Sequence, residues 1–370
     1  MNWPASQPLG VEQPPPAYSP YADPAGLGVR TIGCGTFSGD LLEVLRLTAE
    51  LGAPASIEPL VRERCGRFAS ASLTGLAPVV RVERAFDGRL EVWSRQAEGF
   101  RLGTVLEWIA ARQTAPPLDV ALTIGDRLLA SLASLQAVDQ TEGAPGHGAI
   151  AVDQIVVSES GALTLTDYAF GTTLAALQWP REQLWRRFRI AMPPAAGLAR
   201  FDHRVDVTQA AVVIASLLAG RLLTSEEYPR QLGPILAEAV RRSCADVDRR
   251  DGDRLFVWLQ AATELDPRRV FQSAQRAREA LHEALGPRLS DTEGIGRWLR
   301  AARGLPETPA RPRPAAASSA PSEAPSSEAP SPEAAPSEAP SPEAPSPQTA
   351  PSEAVRPEAG ARIRRWLKWS

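Results

Sequence analysis

Lysine is almost absent from this sequence. Among 370 residues there is one, Lys368, two positions from the end. No side-chain ammonium is available to the rest of the chain, and the other permanent cations are arginines, whose planar fork is no equivalent of a point charge. Cysteine is scarce as well. Cys34, Cys65 and Cys244 are odd in number, widely scattered and without CxxC spacing. That excludes a disulfide frame or a zinc site and suits a reduced, cytoplasmic setting. Long apolar runs are missing. The longest, Ala210 to Ala219, falls far short of the roughly 20 residues a membrane span needs and predicts a helix buried on all sides. The first residues are Pro-rich, with no apolar stretch behind a basic start, so no signal peptide is expected. Residues 315–354 hold no aromatic residue and no Val, Ile, Leu or Met. Such a segment cannot bury enough apolar surface to offset its chain entropy.

What is present is unevenly distributed. The net charge is −3, with −6 in 315–354, +4 in 355–370 and the remaining −1 over 1–314. A near-neutral body carries no electrostatic footprint for nucleic acid. Glu recurs every five residues at 323, 328, 333, 338 and 343, in a Pro/Ser/Ala background expected to be extended and semi-stiff. Forty such residues reach at most ~120 Å at ~3.1 Å each. The chain ends in a basic, aromatic tip. Ile363, Trp366 and Leu367 fall at i, i+3, i+4, with Arg362, Arg364, Arg365, Lys368 and Trp369 around them. This pattern suits a membrane surface or a groove on a partner protein, and an idle tail is the third option. Near the start, Pro15-Pro16-Ala17-Tyr18 fits a PPxY ligand, a match that comes cheaply in a Pro-rich tail.

Between the tails the periodicities are those of a mixed fold. Val79 to Phe86 and Arg89 to Trp93 flank Asp87-Gly88, the signature of a hairpin. Apolar positions 57, 60, 61, 65 and 68 predict a helix over 57–68, and Leu102, Val105, Leu106 and Ile109 another. Residues 118–137 read as a long amphipathic helix. Short β-like pieces at 155–157 and 163–166 turn at Ser160-Gly161, and helices follow near 206–219, 231–243, 253–264 and 271–285.

Two stretches carry chemistry. His147-Gly148-Ala149-Ile150-Ala151-Val152-Asp153-Gln154, followed by Asp167-Tyr168-Ala169, resembles the catalytic loop and metal-binding loop of a protein kinase, H-R-D-x-x-x-x-N then D-F-G. Ile32-Gly33-Cys34-Gly35-Thr36-Phe37 resembles the start of a Gly-rich phosphate loop. Gln96-Ala97-Glu98-Gly99 sits where the hinge would be. Met192-Pro193-Pro194-Ala195 resembles A-P-E, Asp206 opens a large buried helix, and Leu265 to Phe271 resembles the late D-P-x-x-R motif with Val270 at its arginine.

The resemblance, to a degenerate bacterial Ser/Thr protein kinase-like domain, implies an α+β bilobal fold. A tail at 1–29 precedes a small β-rich N-lobe at about 30–96 and a larger helical C-lobe at about 100–286. A helical extension at 287–304, a linker at 305–355 and the tip at 356–370 complete the chain. It also implies lost chemistry. Ala149 stands where the family's proton-accepting Asp would be, Gly148 replaces its Arg, Ala151 a nearby Lys, and no lysine can clamp phosphates. His147 and Ala149 are thus degenerate positions, and no catalytic residue is assigned. Gly33, Gly35, Gln154 and Asp167 are the candidate nucleotide and Mg²⁺ positions, with Asp167 the candidate metal ligand. An Asp that merely orients a turn is the competing reading. The expected function is a catalytically impaired, kinase-shaped module that binds a protein partner. It would need no cofactor, although ATP and Mg²⁺ could bind, and the tip could attach it peripherally to a membrane. The alternative is an atypical ATP-dependent phosphotransferase using Asp153 or another carboxylate as base and an arginine in place of the lysine.

Overall fold

The computed structural model describes residues 21–34, 41–69, 73–138, 146–194, 201–266 and 268–304. The chain divides into two units, Met1–Pro309 and Ala310–Ser370, and all described residues belong to the first. The N-terminal tail, the acidic repeat and the tip lie outside the described residues.

Strands β1 (Tyr21–Ala22), β2 (Gly28–Cys34) and β3 (Leu41–Leu47) are followed by helices α1 (Ala49–Gly52) and α2 (Ile57–Ala69), then by strands β4 (Val79–Arg84) and β5 (Leu90–Arg95). The strands form one antiparallel sheet in the order β1-β2-β3-β5-β4. The Asp87-Gly88 turn closes the β4–β5 hairpin as expected, with Gly88 at φ +78°. Alternation along β3 turns Leu45 and Leu47 into a shared core with Val61 and Cys65 of α2 and Leu90 and Val92 of β5. The sheet begins at Tyr21, nine residues before the expected boundary. Asp23 Oδ2 accepts the Leu27 amide at 2.9 Å, and Ala25 and Leu27 are buried. Residues 21–29 are therefore part of the fold and not of the tail.

After the connector 96–99 come β6 (Phe100–Arg101), α3 (Leu102–Ala111), α4 (Leu118–Val138), β7 (Ile155–Val157), β8 (Leu163–Leu165), α5 (Gly171–Leu177), α6 (Arg181–Phe188), α7 (His203–Ala219), α8 (Leu232–Ser243), α9 (Arg249–Ala262), α10 (Ala274–Leu285) and α11 (Thr292–Arg303). Strands β6-β7-β8 make a small second sheet. Helix α7 is the axis of this lobe. Asp202 caps it by accepting from the amides of Arg204 and Val205, and Gly220 closes it at φ +68°. Every residue from Val205 to Ala219 is buried, as the apolar run predicted. Among the described residues no helix is long and apolar enough to cross a membrane.

Candidate functional site

The loop at 146–154 is held from below by helix α7. Asp206 accepts the His147 amide (2.9 Å) on Oδ2 and the Gly148 amide (2.7 Å) on Oδ1, and Gln136 donates to its Oδ2 at 3.0 Å. Burial pushes the Asp206 carboxyl up, against the pull of those donors. One turn on, Gln209 accepts the Ile150 amide (2.9 Å) and donates to Gly148 O (3.2 Å). The His147 ring is buried with Nε2 2.9 Å from Thr166 O, so Nε2 carries the proton. Burial drives its pKa down to about 4, and it serves as a neutral packing group. Gly148 has φ +70°, and a Cβ there would lie 2.9 Å from Gly171 Cα and 3.1 Å from Phe201 Cδ1. The loop backbone is thus preserved in a form that leaves no room for an arginine at 148.

Ala149 is completely buried. It belongs to an apolar cluster with Ala169, Phe170, Leu174, Phe188, Ile190, Met192 and Phe201. The same cluster includes Leu27, Leu45, Leu47 and Val61 of the first lobe. The chain after Asp167 folds back between the lobes as α5 and α6. Trp179 stacks on Phe188 at 5.5 Å and 6°, and the turn before β2 closes over them. A Cβ on Gly26 (φ +74°) would sit 2.9 Å from Arg187 O and 3.8 Å from Phe188 Cδ1. The Ala149 methyl therefore belongs to the buried apolar cluster that spans both lobes.

Asp167 sits in the left-handed region, φ +64°, with its side chain 6% exposed. Its Oδ2 lies 2.6 Å from Nη2 of Arg30 and accepts from Thr166 Oγ1 at 3.0 Å. Burial alone would raise its pKa; the Arg30 guanidinium overrides this and holds it below the usual carboxylate range. Arg30, on β2 and 1% exposed, also binds Asp23 (Nε–Oδ1 2.5 Å) and, through Nη1, Glu43 of β3. Arg101 of β6 reaches the same Glu43 at 2.6 Å and donates through Nη1 to Asp153 O. Three carboxylates and two guanidiniums thus join both lobes at one buried point. Tyr168 packs edge-on against Phe68 of α2 at 5.7 Å and 87°, the role expected of the aromatic residue after the Asp.

The Asp153 carboxyl is pushed up to about 6, by burial first and by the nearby Asp23 charge second; a Cβ on Gly103 of α3 would collide with it. Gln154 is buried, and its Oε1 has no hydrogen-bond partner. These residues do not fit a bound Mg²⁺ as they stand. The cation demands a near-octahedral oxygen shell. The Asp167 oxygen nearest this role already faces a guanidinium, and one amide oxygen does not make a site. Among the described residues no group of three His, Cys, Asp or Glu could hold a metal ion.

Other expected positions fall apart. Gly33 lies within β2, paired with Leu42 and three residues beyond Arg30, and its Cβ position has nothing within 4 Å. Gly35 and Ala195 lie outside the described residues, as do Arg362, Ile363, Arg365, Trp366, Leu367 and Trp369 of the tip. The turn that faces the Asp167 cluster is Asp23 to Leu27. Residues 96–99 do connect the lobes; the Gln96 amide donates to Leu41 O (2.9 Å), and Gly99 takes φ +126°. Val270 is half-buried on the wall of a groove between α9 and α10. Arg269 is exposed, 3.8 Å from Asp266 of its own loop, so it does not restore a buried ion pair. Sequence reasoning missed Arg30, Asp23, Glu43 and Arg101. The one available signal was indirect: with no lysine, the permanent cation of a buried ion pair in this body has to be an arginine.

No protein-family model matches the sequence, and no curated protein does. Solved structures similar to it include a cysteine-to-alanine mutant of the PknI kinase domain from Mycobacterium tuberculosis, at 18% identity and a TM-score of 0.50, covering 70% of this chain and 91% of that one. Another structure of the PknI kinase domain aligns at 17% identity and TM-score 0.49 over 72% and 94%. The maize SIRK1 kinase domain bound to AMP-PNP aligns at 16% and 0.49 over 73% and 92%. At such identities the likeness is one of fold. With its antiparallel sheet, its mostly helical second lobe and the braced loop at 146–154, this chain has the protein kinase-like α+β bilobal fold.

Proposed function

We propose that this protein is a kinase-shaped binding module that does not transfer phosphate. The observation that carries the reading is Ala149, fully buried among Phe170, Phe188, Phe201 and Met192. A methyl group accepts no proton, and general-base assistance is typically worth 10²- to 10⁴-fold. Sealing that position in hydrocarbon also denies a substrate hydroxyl any approach to it. The engagement of Asp167 by Arg30 and the lack of any lysine before 368 point the same way. Such a module would act as a scaffold or regulatory domain for a protein partner in the cytoplasm, with the basic tip as a second contact to lipid or protein.

One observation favours a second reading. Asp153 is a buried carboxyl with its pKa near 6, the range of a general base, and Arg30 is an arginine at Asp167. An atypical phosphotransferase would use these two. Radiolabel transfer from ATP and Mg²⁺ to the protein itself and to generic Ser/Thr substrates separates the readings. The binding-module reading expects no transfer above a no-protein blank. Robust transfer abolished by Asp153→Asn would replace it with the second.

A further inference from the structure

We propose that Arg30 is a built-in cation that holds the two lobes closed without nucleotide. In a nucleotide-dependent cleft, the positive charge that joins the strands above to the carboxylate below arrives with the ligand, as a metal ion, and from a lysine. Here it is covalently part of β2. One guanidinium, 1% exposed, meets Asp23 in the turn before β2, Glu43 on β3 and Asp167 at the start of the interlobe segment. The fork geometry of arginine suits this: Nε, Nη1 and Nη2 each serve a different carboxylate, which an ammonium could not do in one plane. Arg101 extends the tie from Glu43 to the loop backbone at Asp153. Phe170, whose amide donates to Asp167 O at 3.1 Å, is buried next along the chain. A triphosphate entering here would place its negative charge beside Asp23, Glu43 and Asp167 and would compete with Asp167 for Arg30. The closed arrangement, and any partner surface that depends on it, is therefore constitutive.

This goes beyond the non-catalytic reading and fails separately from it, since a protein without phosphotransfer could still close on nucleotide. The test uses the full chain, with thermal melting and amide hydrogen exchange read by mass spectrometry, in buffer, with Mg²⁺, and with Mg²⁺ and ATP. The expected wild-type result is an unchanged melting temperature and unchanged protection at 21–34, 41–47 and 153–170 under all three conditions. Arg30→Lys and Asp167→Asn should each lower the melting temperature by at least about 5 °C. Both should speed exchange in those three segments more than in α4 or α7. Arg30→Met is the harsher variant; if it fails to fold, the two conservative ones decide. A wild-type melting temperature that rises with Mg²⁺ and ATP, or new protection of these segments by nucleotide, would overturn the proposal. So would an Arg30→Lys protein whose melting and exchange match the wild type.

Discussion

An acid introduced at position 149 should destabilise this protein and confer no phosphotransfer. Ala149→Asp puts a carboxylate at the position that the binding-module reading assigns to a kinase's proton acceptor. In this chain the position has no exposed surface, and its cluster is Ala169, Phe170, Leu174, Phe188, Ile190, Met192 and Phe201. An uncompensated buried charge costs about 3–5 kcal/mol, and crowding a packed core alone costs about 1–3 kcal/mol. The introduced group would escape part of the charge penalty by taking up a proton, so about 3–5 kcal/mol is the expected total at pH 7. For a body of this size that is a fall of roughly 6–15 °C in melting temperature. The pH dependence has a definite sign. Burial raises the folded-state pKa of the new carboxyl above its unfolded value of about 3.9. The charge penalty is then absent below that value and grows as pH rises through it. Melting followed by tryptophan fluorescence at pH 4.5 and 7.5, with radiolabel transfer in parallel, checks both halves. A variant that melts within about 1 °C of the wild type at pH 7.5, or that gains phosphotransfer, would refute the burial argument.

Asp153→Asn should stabilise the protein at pH 7.5, by on the order of 2–3 kcal/mol, because the native carboxyl sits near 6 and is penalised when ionised; the gain should shrink toward pH 4, as urea midpoints at both pH values would report. Asp206→Ala should cost about 2–4 kcal/mol by stranding the amides of His147 and Gly148, visible as a lower melting temperature. Arg269→Ala should change stability by less than about 0.5 kcal/mol, since its contact with Asp266 is exposed. Deleting 356–370 should abolish any co-sedimentation with anionic liposomes and leave melting unchanged; retained sedimentation would place lipid contact elsewhere.

The parts of the fold that could be read from the sequence are those whose cause is local. Residues 57–69, 102–111 and 118–138 show helical spacing, the hairpin at 79–95 has its Asp-Gly turn, and the second half of α7, from Ala210 to Ala219, is apolar except for Ser216. The loop at 146–154 was recognisable from the order of His147, Gln154 and Asp167-Tyr168-Ala169 along the chain; that Gln209 braces it was not. What stayed hidden depends on distant contacts. Helices α5 and α6 span seven and eight residues, without side-chain caps, and are held by the cluster they fill. Pro24-Ala25-Gly26 reads as more of the Pro-rich tail until Phe188 is seen beneath Gly26. Arg30 finds its carboxylates at positions 23, 43 and 167, a spacing with no period to betray it. Of the glycine pattern at 33–35, Gly33 lies within β2 and Gly35 lies outside the described residues.

The near-collision of Gly148 with Gly171 has a consequence for any larger side chain in this loop. An arginine at 148 first needs the backbone of α5 moved away, and moving α5 disturbs the hydrocarbon around Ala149. An aspartate at 149 needs that hydrocarbon opened first. Each single substitution is therefore penalised by the surrounding structure, and accommodating both would demand further changes at once. Glycine at 148 and alanine at 149 are thus held in place by the packing of their neighbours.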